Sequence, residues 1–220
     1  GNELTYLNRC LRRKHRIAQF YCTPKVHKTP WATRPIVSNV KTTMSFLSKI
    51  ADRNLQSVRH LCHGYLQDSQ SLITKLKRLG KLPPTAVIIT ADAVSMYTNI
   101  DVQHALKVIE LWLKLHYNQL SAGFPIDFVI AALKLVMENN VFQFDDTYWL
   151  QLTGTAMGTS VACMLATIYY AFHETFWFLK LLLKLHTPPT FCPLIGRLPT
   201  PTETALQLVP QHKCPMLLYG

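Results

Sequence analysis

Charge is scarce in this chain, and acidic charge scarcest. Of its 220 residues 16% are Asp, Glu, Lys or Arg, with 12 acidic residues against 23 basic ones. Beside 49% hydrophobic residues, so little charge excludes an intrinsically disordered chain, which is poor in apolar residues and rich in charge. Close cysteine pairs are also missing. Cys10, Cys22, Cys62, Cys163, Cys192 and Cys214 stand apart, with no Cys-x-x-Cys to preset a zinc geometry. Scattered cysteines in a chain of this size read as reduced core residues and point to an intracellular setting, nuclear or cytoplasmic. No apolar run reaches the roughly 20 nearly uncharged residues of a membrane span. The longest, Val161 to Leu185, is broken by His173, Glu174, Lys180 and Lys184. A buried helix is expected there, although the mean hydropathy is +0.10. The opening Gly1-Asn2-Glu3-Leu4 has neither an initiator Met nor the apolar core of a signal peptide, so the chain reads as a segment of something longer. No internal repeat is present.

The charge that exists is unevenly placed. Residues 1–81 carry 16 Lys and Arg against 3 Asp and Glu, a charge of +13, and the remainder carries −2. A one-sided basic field suits a polyanion, and nucleic acid is the leading partner because phosphate neutralisation supplies most non-specific affinity. A merely solvated basic surface is the plainer alternative.

Local patterns give a coarse element map. Arg9, Arg12, Arg13, Lys14 and Arg16 form a basic run at a helix end or in an arm. Residues 18–40 are rich in strand and turn signals, punctuated by Pro24, Pro30 and Pro35. Residues 42–61 carry apolar side chains near a 3.6 period, and residues 65–79 predict a second helix ended by Gly80. Pro83-Pro84 marks a subdomain boundary. Ala86 to Thr90 reads as a buried strand leading into Asp92. Helices are predicted from Asp101 to about Tyr117, from Pro125 to Glu138, and from Gly158 to about Leu185. Between the last two, residues 141–152 predict a hairpin turned at Asp145-Asp146. Residues 187–216 hold seven of the 13 prolines and predict an irregular segment.

Three segments carry residues suited to chemistry. In Thr23-Pro24-Lys25-Val26-His27-Lys28 and Arg34-Pro35-Ile36-Val37-Ser38, two lysines and an arginine sit on short extended pieces. Arg offers phosphate a planar fork and Lys a point charge; a basic surface hairpin would look the same. In Asp92-Ala93-Val94-Ser95-Met96-Tyr97-Thr98-Asn99-Ile100 a carboxylate follows a strand. Ligand-binding groups stand at that place in α/β proteins, and a hard ion such as Mg²⁺ takes carboxylate and phosphate oxygens; an Asp capping a turn is the alternative. In Gln151-Leu152-Thr153-Gly154-Thr155-Ala156-Met157-Gly158-Thr159 small residues allow close backbone approach. It is not a P-loop, since no Gly-Lys-Ser/Thr follows.

In this order and spacing the three segments resemble the reverse transcriptase (RNA-directed DNA polymerase) domain of the Penelope-like retroelement family, over most of residues 18–175. The resemblance implies an α+β fold, a right-hand polymerase with fingers over residues 1–84 and a ferredoxin-like palm sheet packed on helices over residues 85–186. Residues 187–220 would lead toward a further catalytic hairpin. It implies that Lys25, Lys28 and Arg34 grip a deoxynucleoside triphosphate, and that Asp92 is catalytic and holds two Mg²⁺ or Mn²⁺ ions with the Ala93 carbonyl beside them. Tyr97 would lie under the sugar and exclude a 2′-hydroxyl, while Gln151 and Gly154 line the nucleotide and template. RNA or DNA template with primer would be the partner. Simple core packing is the alternative role for Tyr97.

The pattern departs from the family in one respect. Two divalent ions need more than one carboxylate, and the family supplies the rest from a Tyr-x-Asp-Asp hairpin after the long helix. No Asp follows Asp146 in this chain. Phe144-Asp145-Asp146 is no substitute, because it precedes the Gly154 segment and an Asp pair is ordinary turn chemistry. Asp101 reads as a helix cap. The expectation is a fragment without polymerase activity of its own. A non-catalytic nucleic-acid-binding module and a decayed retroelement remnant remain as alternatives.

Overall fold

The computed structural model describes residues 2–27, 29–81, 93, 95–185 and 217–218. The predicted strand 86–90, the boundary at Pro83-Pro84 and the proline-rich segment 187–216 lie outside the described residues. The elements run α1 (Asn2–Leu11), β1 (Ala18–Lys25), β2 (Ala32–Ser38), α2 (Thr43–Ser57), α3 (Ser69–Leu79), α4 (Val102–Leu115), α5 (Ile126–Glu138), β3 (Val141–Phe144), β4 (Thr147–Leu150), α6 (Ala162–Leu185) and β5 (Leu217–Leu218). This is a mixed α+β architecture, as the sequence predicts at that level.

The sheet order is β2-β1-β3-β4-β5. β1 and β3 run parallel, and the other paired neighbours among the described residues are antiparallel. Alternation decides the faces. Ala18, Phe20, Val37 and Phe142 share one side, where they pack with Ala156 and Trp149 in a small cluster. Phe20 stacks on Phe142 with ring centroids 5.4 Å apart. The β3–β4 connection is the predicted two-residue turn, with Asp145 in the left-handed region at φ 54°, a conformation that Asp tolerates.

The larger core is helical. Leu55 of α2, Ile109 and Leu113 of α4, Val129 and Leu133 of α5, and Leu165 and Ile168 of α6 are all fully buried in it. At about 1.5–3 kcal/mol for each fully buried aliphatic side chain, this cluster outweighs the sheet's as a source of stability. It also crosses the position where the charge changes sign: residues 51–62 and residues 100–171 share it.

Helix ends follow their caps. Thr42 accepts a hydrogen bond from the Ser45 amide, and Asp101 from the His104 amide at 2.6 Å. Several boundaries differ from the sequence reading, and the helix expected over residues 42–61 ends at Ser57, followed by a 3-10 turn over Arg59–Leu61. Asp68 caps the Ser71 amide at 2.7 Å, so α3 starts at Ser69 rather than residue 65. Pro125 is the cap of α5, not its first residue. The helix expected from Gly158 begins only at Ala162, because the preceding residues are tied elsewhere.

Candidate functional site

Those residues bring the three sequence segments together. The Thr155 amide donates to the Tyr97 carbonyl at 2.8 Å, and the Gly154 amide to the Ile100 carbonyl at 2.9 Å. On the other side, the Val37 amide donates to the Met157 carbonyl at 2.9 Å. Val37 belongs to β2, the outer strand of the sheet. The glycine segment therefore lies between the outer edge of the Arg34–Ser38 strand and the loop that follows Asp92.

Glycine is required at both ends of this wedge. Gly154 has φ +74°, and a methyl group there would come within 2.7 Å of the Thr98 Cα and the Tyr97 carbonyl oxygen. Gly158 has φ +128°, and its methyl would overlap the Val37 carbonyl oxygen. Each combines a backbone conformation that L side chains rarely adopt with no room for a Cβ.

The cationic side chains sit on one face of the hairpin. Thr23 faces Arg34 and Lys25 faces Ala32, so Lys25 and Arg34 are diagonal neighbours on the face opposite Phe20 and Val37. Diagonal neighbours stand about 7–8 Å apart, their Cβ atoms somewhat closer, a separation that two long side chains span to reach one anion. Arg34 is exposed and Lys25 half-buried. Lys28 and Asp92 lie outside the described residues, and of the Asp92 segment's nearest neighbour, Ala93, the structure shows that it is half-buried.

Tyr97 is held from several directions. Its ring packs against the helical core, its carbonyl accepts from Thr155, and its hydroxyl lies 3.5 Å from the Cys163 thiol. Core packing and a place at the site are thus not exclusive. The next residue back is held too: the Tyr170 hydroxyl donates to the Met96 carbonyl at 3.1 Å. Burial raises the Tyr170 hydroxyl's pKa above its ordinary value, because the charged phenolate is disfavoured out of water. Gln151 is engaged locally. It accepts from Asn140 at 2.7 Å and donates to the Thr153 carbonyl at 2.8 Å.

Sequence reasoning missed the polar residues beneath this wedge. Buried Asn39 donates to the Thr159 hydroxyl at 2.6 Å, and Thr42 donates to the Asn39 carbonyl at 3.1 Å. These bonds join the end of β2, the cap of α2 and the segment leading into α6. No local pattern marks Asn39, because its partner Thr159 is 120 positions away. The Thr155 hydroxyl is buried with no hydrogen-bond partner among the described residues.

Among the described residues no group of three or more His, Cys, Asp or Glu side chains is placed to hold a metal ion, and no helix is long and apolar enough to cross a membrane. No protein-family model matches the chain, and neither a curated protein nor a solved structure matches it.

Proposed function

We propose that the chain is the fingers and partial palm of a retroelement reverse transcriptase of the Penelope-like type, serving template-directed DNA synthesis in its parent and without polymerase activity as these 220 residues. The observation that supports this reading is the convergence just described. Segments separated by dozens of residues, singled out for their nucleotide chemistry, meet through backbone hydrogen bonds around Gly154–Gly158. A solvated basic hairpin or an ordinary strand-end turn does not require that meeting.

In this reading Arg34, with Lys25 and Lys28, neutralises the triphosphate. Asp92 and the Ala93 carbonyl offer the hard oxygens that Mg²⁺ or Mn²⁺ prefers. The ions supply activation of a primer hydroxyl and neutralisation of the leaving pyrophosphate. Tyr97 limits the space at the sugar 2′ position, while Gln151 and Gly154 shape the nucleotide and template side. The fingers lie in the basic residues 1–84 and the palm in residues 85–186.

The test is equilibrium binding of a deoxynucleoside triphosphate to the purified chain, with and without Mg²⁺, followed by primer extension. Binding that needs Mg²⁺ and weakens about tenfold or more in Arg34→Ala is expected, from the loss of charge-assisted hydrogen bonds. Extension is expected to be absent. Triphosphate binding indifferent to Arg34 overturns the site, and extension abolished by Asp92→Ala overturns the inactivity.

A second reading, a non-catalytic nucleic-acid-binding module, is favoured by a separate observation. Among the described residues, none of the lysines or arginines before Lys81 is in an ion pair; the ion pair present is Lys114–Glu110 in α4. Those cations remain available to phosphate.

A further inference from the structure

We propose that Trp31, at the tip of the β1–β2 hairpin, is a stacking platform for an unpaired base of a nucleic-acid single strand. The inference rests on the second reading above, in which the basic residues serve nucleic-acid binding. Trp31 is 78% exposed, although an indole is among the largest apolar side chains and usually buries most of its surface. β1 and β2 close with Lys25 opposite Ala32, and Val26 and Trp31 continue the two strands directly beyond that pair. Val26 is 68% exposed, and His27 is exposed too. Neither Val26 nor Trp31 belongs to either hydrophobic cluster. The tip is thus an apolar surface facing water, carried on a two-stranded ribbon.

The charge around the tip selects the occupant. Alternation along β1 puts Tyr21, Thr23 and Lys25 on one face, and pairing sets Arg34 of β2 opposite Thr23 on that face. Tyr21 is 48% exposed and stands diagonally from Arg34. Arg16, just before the other end of β1, is exposed, and its amide donates to the Lys41 carbonyl. Cations therefore accompany the hairpin along about 25 Å, the length of the eight residues of β1. No acidic residue interrupts them, since none stands between Glu3 and Asp52 in the chain. Apolar rings bordered by cations alone fit a polyanion whose own units carry flat apolar faces. A nucleic-acid single strand is such a polyanion: its phosphates meet the cations and a free base covers the indole. A duplex offers the same phosphates but keeps its bases stacked on one another, so it leaves Trp31 uncovered.

The measurement is fluorescence anisotropy of the full chain with three labelled probes of equal length, about 12 nucleotides. They are an oligothymidylate, an abasic strand with the same phosphates but no bases, and an oligothymidylate–oligoadenylate duplex. The wild type is expected to bind the oligothymidylate about fivefold to a hundredfold more tightly than the abasic strand, the range for one stacked base. Trp31→Ala is expected to lose that preference. Its affinity for the abasic strand and the duplex, and its melting temperature, are expected to be unchanged, because the exposed indole supports no core. Trp31→Phe, which keeps an aromatic face, is expected to retain most of the preference. Equal weakening of all three probes in Trp31→Ala, or weakening of none, overturns the inference while leaving nucleic-acid binding in place. So does a wild type that binds the oligothymidylate and the abasic strand alike. A wild type that binds none of the three overturns the nucleic-acid reading and the inference with it.

Discussion

At the scale of single residues, steric room and proton uptake make the firmest predictions. Gly158→Ala combines strain at φ +128° with overlap on the Val37 carbonyl. A loss of about 2–3 kcal/mol is expected, read as a lowered urea midpoint with an unchanged slope. Gly80, also at positive φ, has open space around it. Gly80→Ala therefore incurs the conformational strain alone, and is the control. His173 makes a pH prediction. Its ring lies tilted against His104 at 5.3 Å and edge-to-face on Tyr169 at 4.6 Å, and burial lifts the pKa of Tyr169 to about 12. Burial first, and then the neighbouring His104, lower the pKa of His173 from its ordinary 6.5. Below that value the unfolded chain takes up a proton that the folded chain resists. Stability is therefore full above about pH 6.5, falls as the pH drops below it, and levels off once the folded histidine is protonated too. Thermal melts from pH 7.5 to 5 are expected to show this fall, and His173→Gln to flatten it. Of these residues, Gly158 was legible as a close-approach point from the small-residue run around it, and Gly80 as a helix end. His173 appeared only as an interruption in an apolar stretch, since its partner His104 lies on another helix.

At the scale of elements, some caps and turns were readable and the polar ties between elements were not. Asp101 as a cap, Gly80 as a helix end and Asp145-Asp146 as a hairpin turn each depend on a few neighbouring residues, and each is found where local chemistry places it. The start of α6 shows the limit of that logic. Gly158 to Val161 have a sequence that could begin a helix, yet Gly154, Thr155 and Met157 are committed to β2 and the Tyr97 loop, the Thr159 hydroxyl accepts from Asn39 and the Val161 amide donates to the Ser48 hydroxyl, so the helix waits until Ala162. Asn39 carries the corresponding energetic prediction. Its buried amide ties β2 to the segment before α6 through Thr159, and Asn39→Ala leaves that hydroxyl without its partner. A loss of about 1–3 kcal/mol is expected. Hydrogen exchange of the Val37, Gly154 and Thr155 amides is expected to rise with it, because they close the same wedge. Lost stability with those amides unaffected would mean that Asn39 supports the α2 cap alone.

For the whole molecule, the charge asymmetry and the shared core pull in different directions. The basic residues before Lys81 form an electrostatic block of +13, but Ala51, Leu55, Val58 and Leu61 from that block are buried with the helices that follow. Binding of a primer–template is expected to fall on the order of 10³-fold between 50 and 200 mM salt if about six phosphates are neutralised. Arg12→Glu with Arg13→Glu is expected to lessen that salt dependence, and Asp92→Ala to leave it unchanged. Fluorescence anisotropy at several salt concentrations measures all three, and salt-independent affinity would remove the polyanion from either functional reading. By itself the sequence determined what short-range rules control: the mixed α+β composition, most helix and hairpin positions, the Asp101 cap and the Gly80 helix end, the one-sided charge and the three segments worth watching. Periodicity, turn chemistry and net charge need no knowledge of distant residues. Tertiary structure alone decided that those segments meet, that Val37 and Tyr97 are the edges between which the glycine segment is wedged, and that Asn39, Cys163 and Tyr170 hold that meeting in place. Those relations join residues some 54 to 120 positions apart, and a contact at such separation depends on how the core packs, a property that no local stretch of the chain carries.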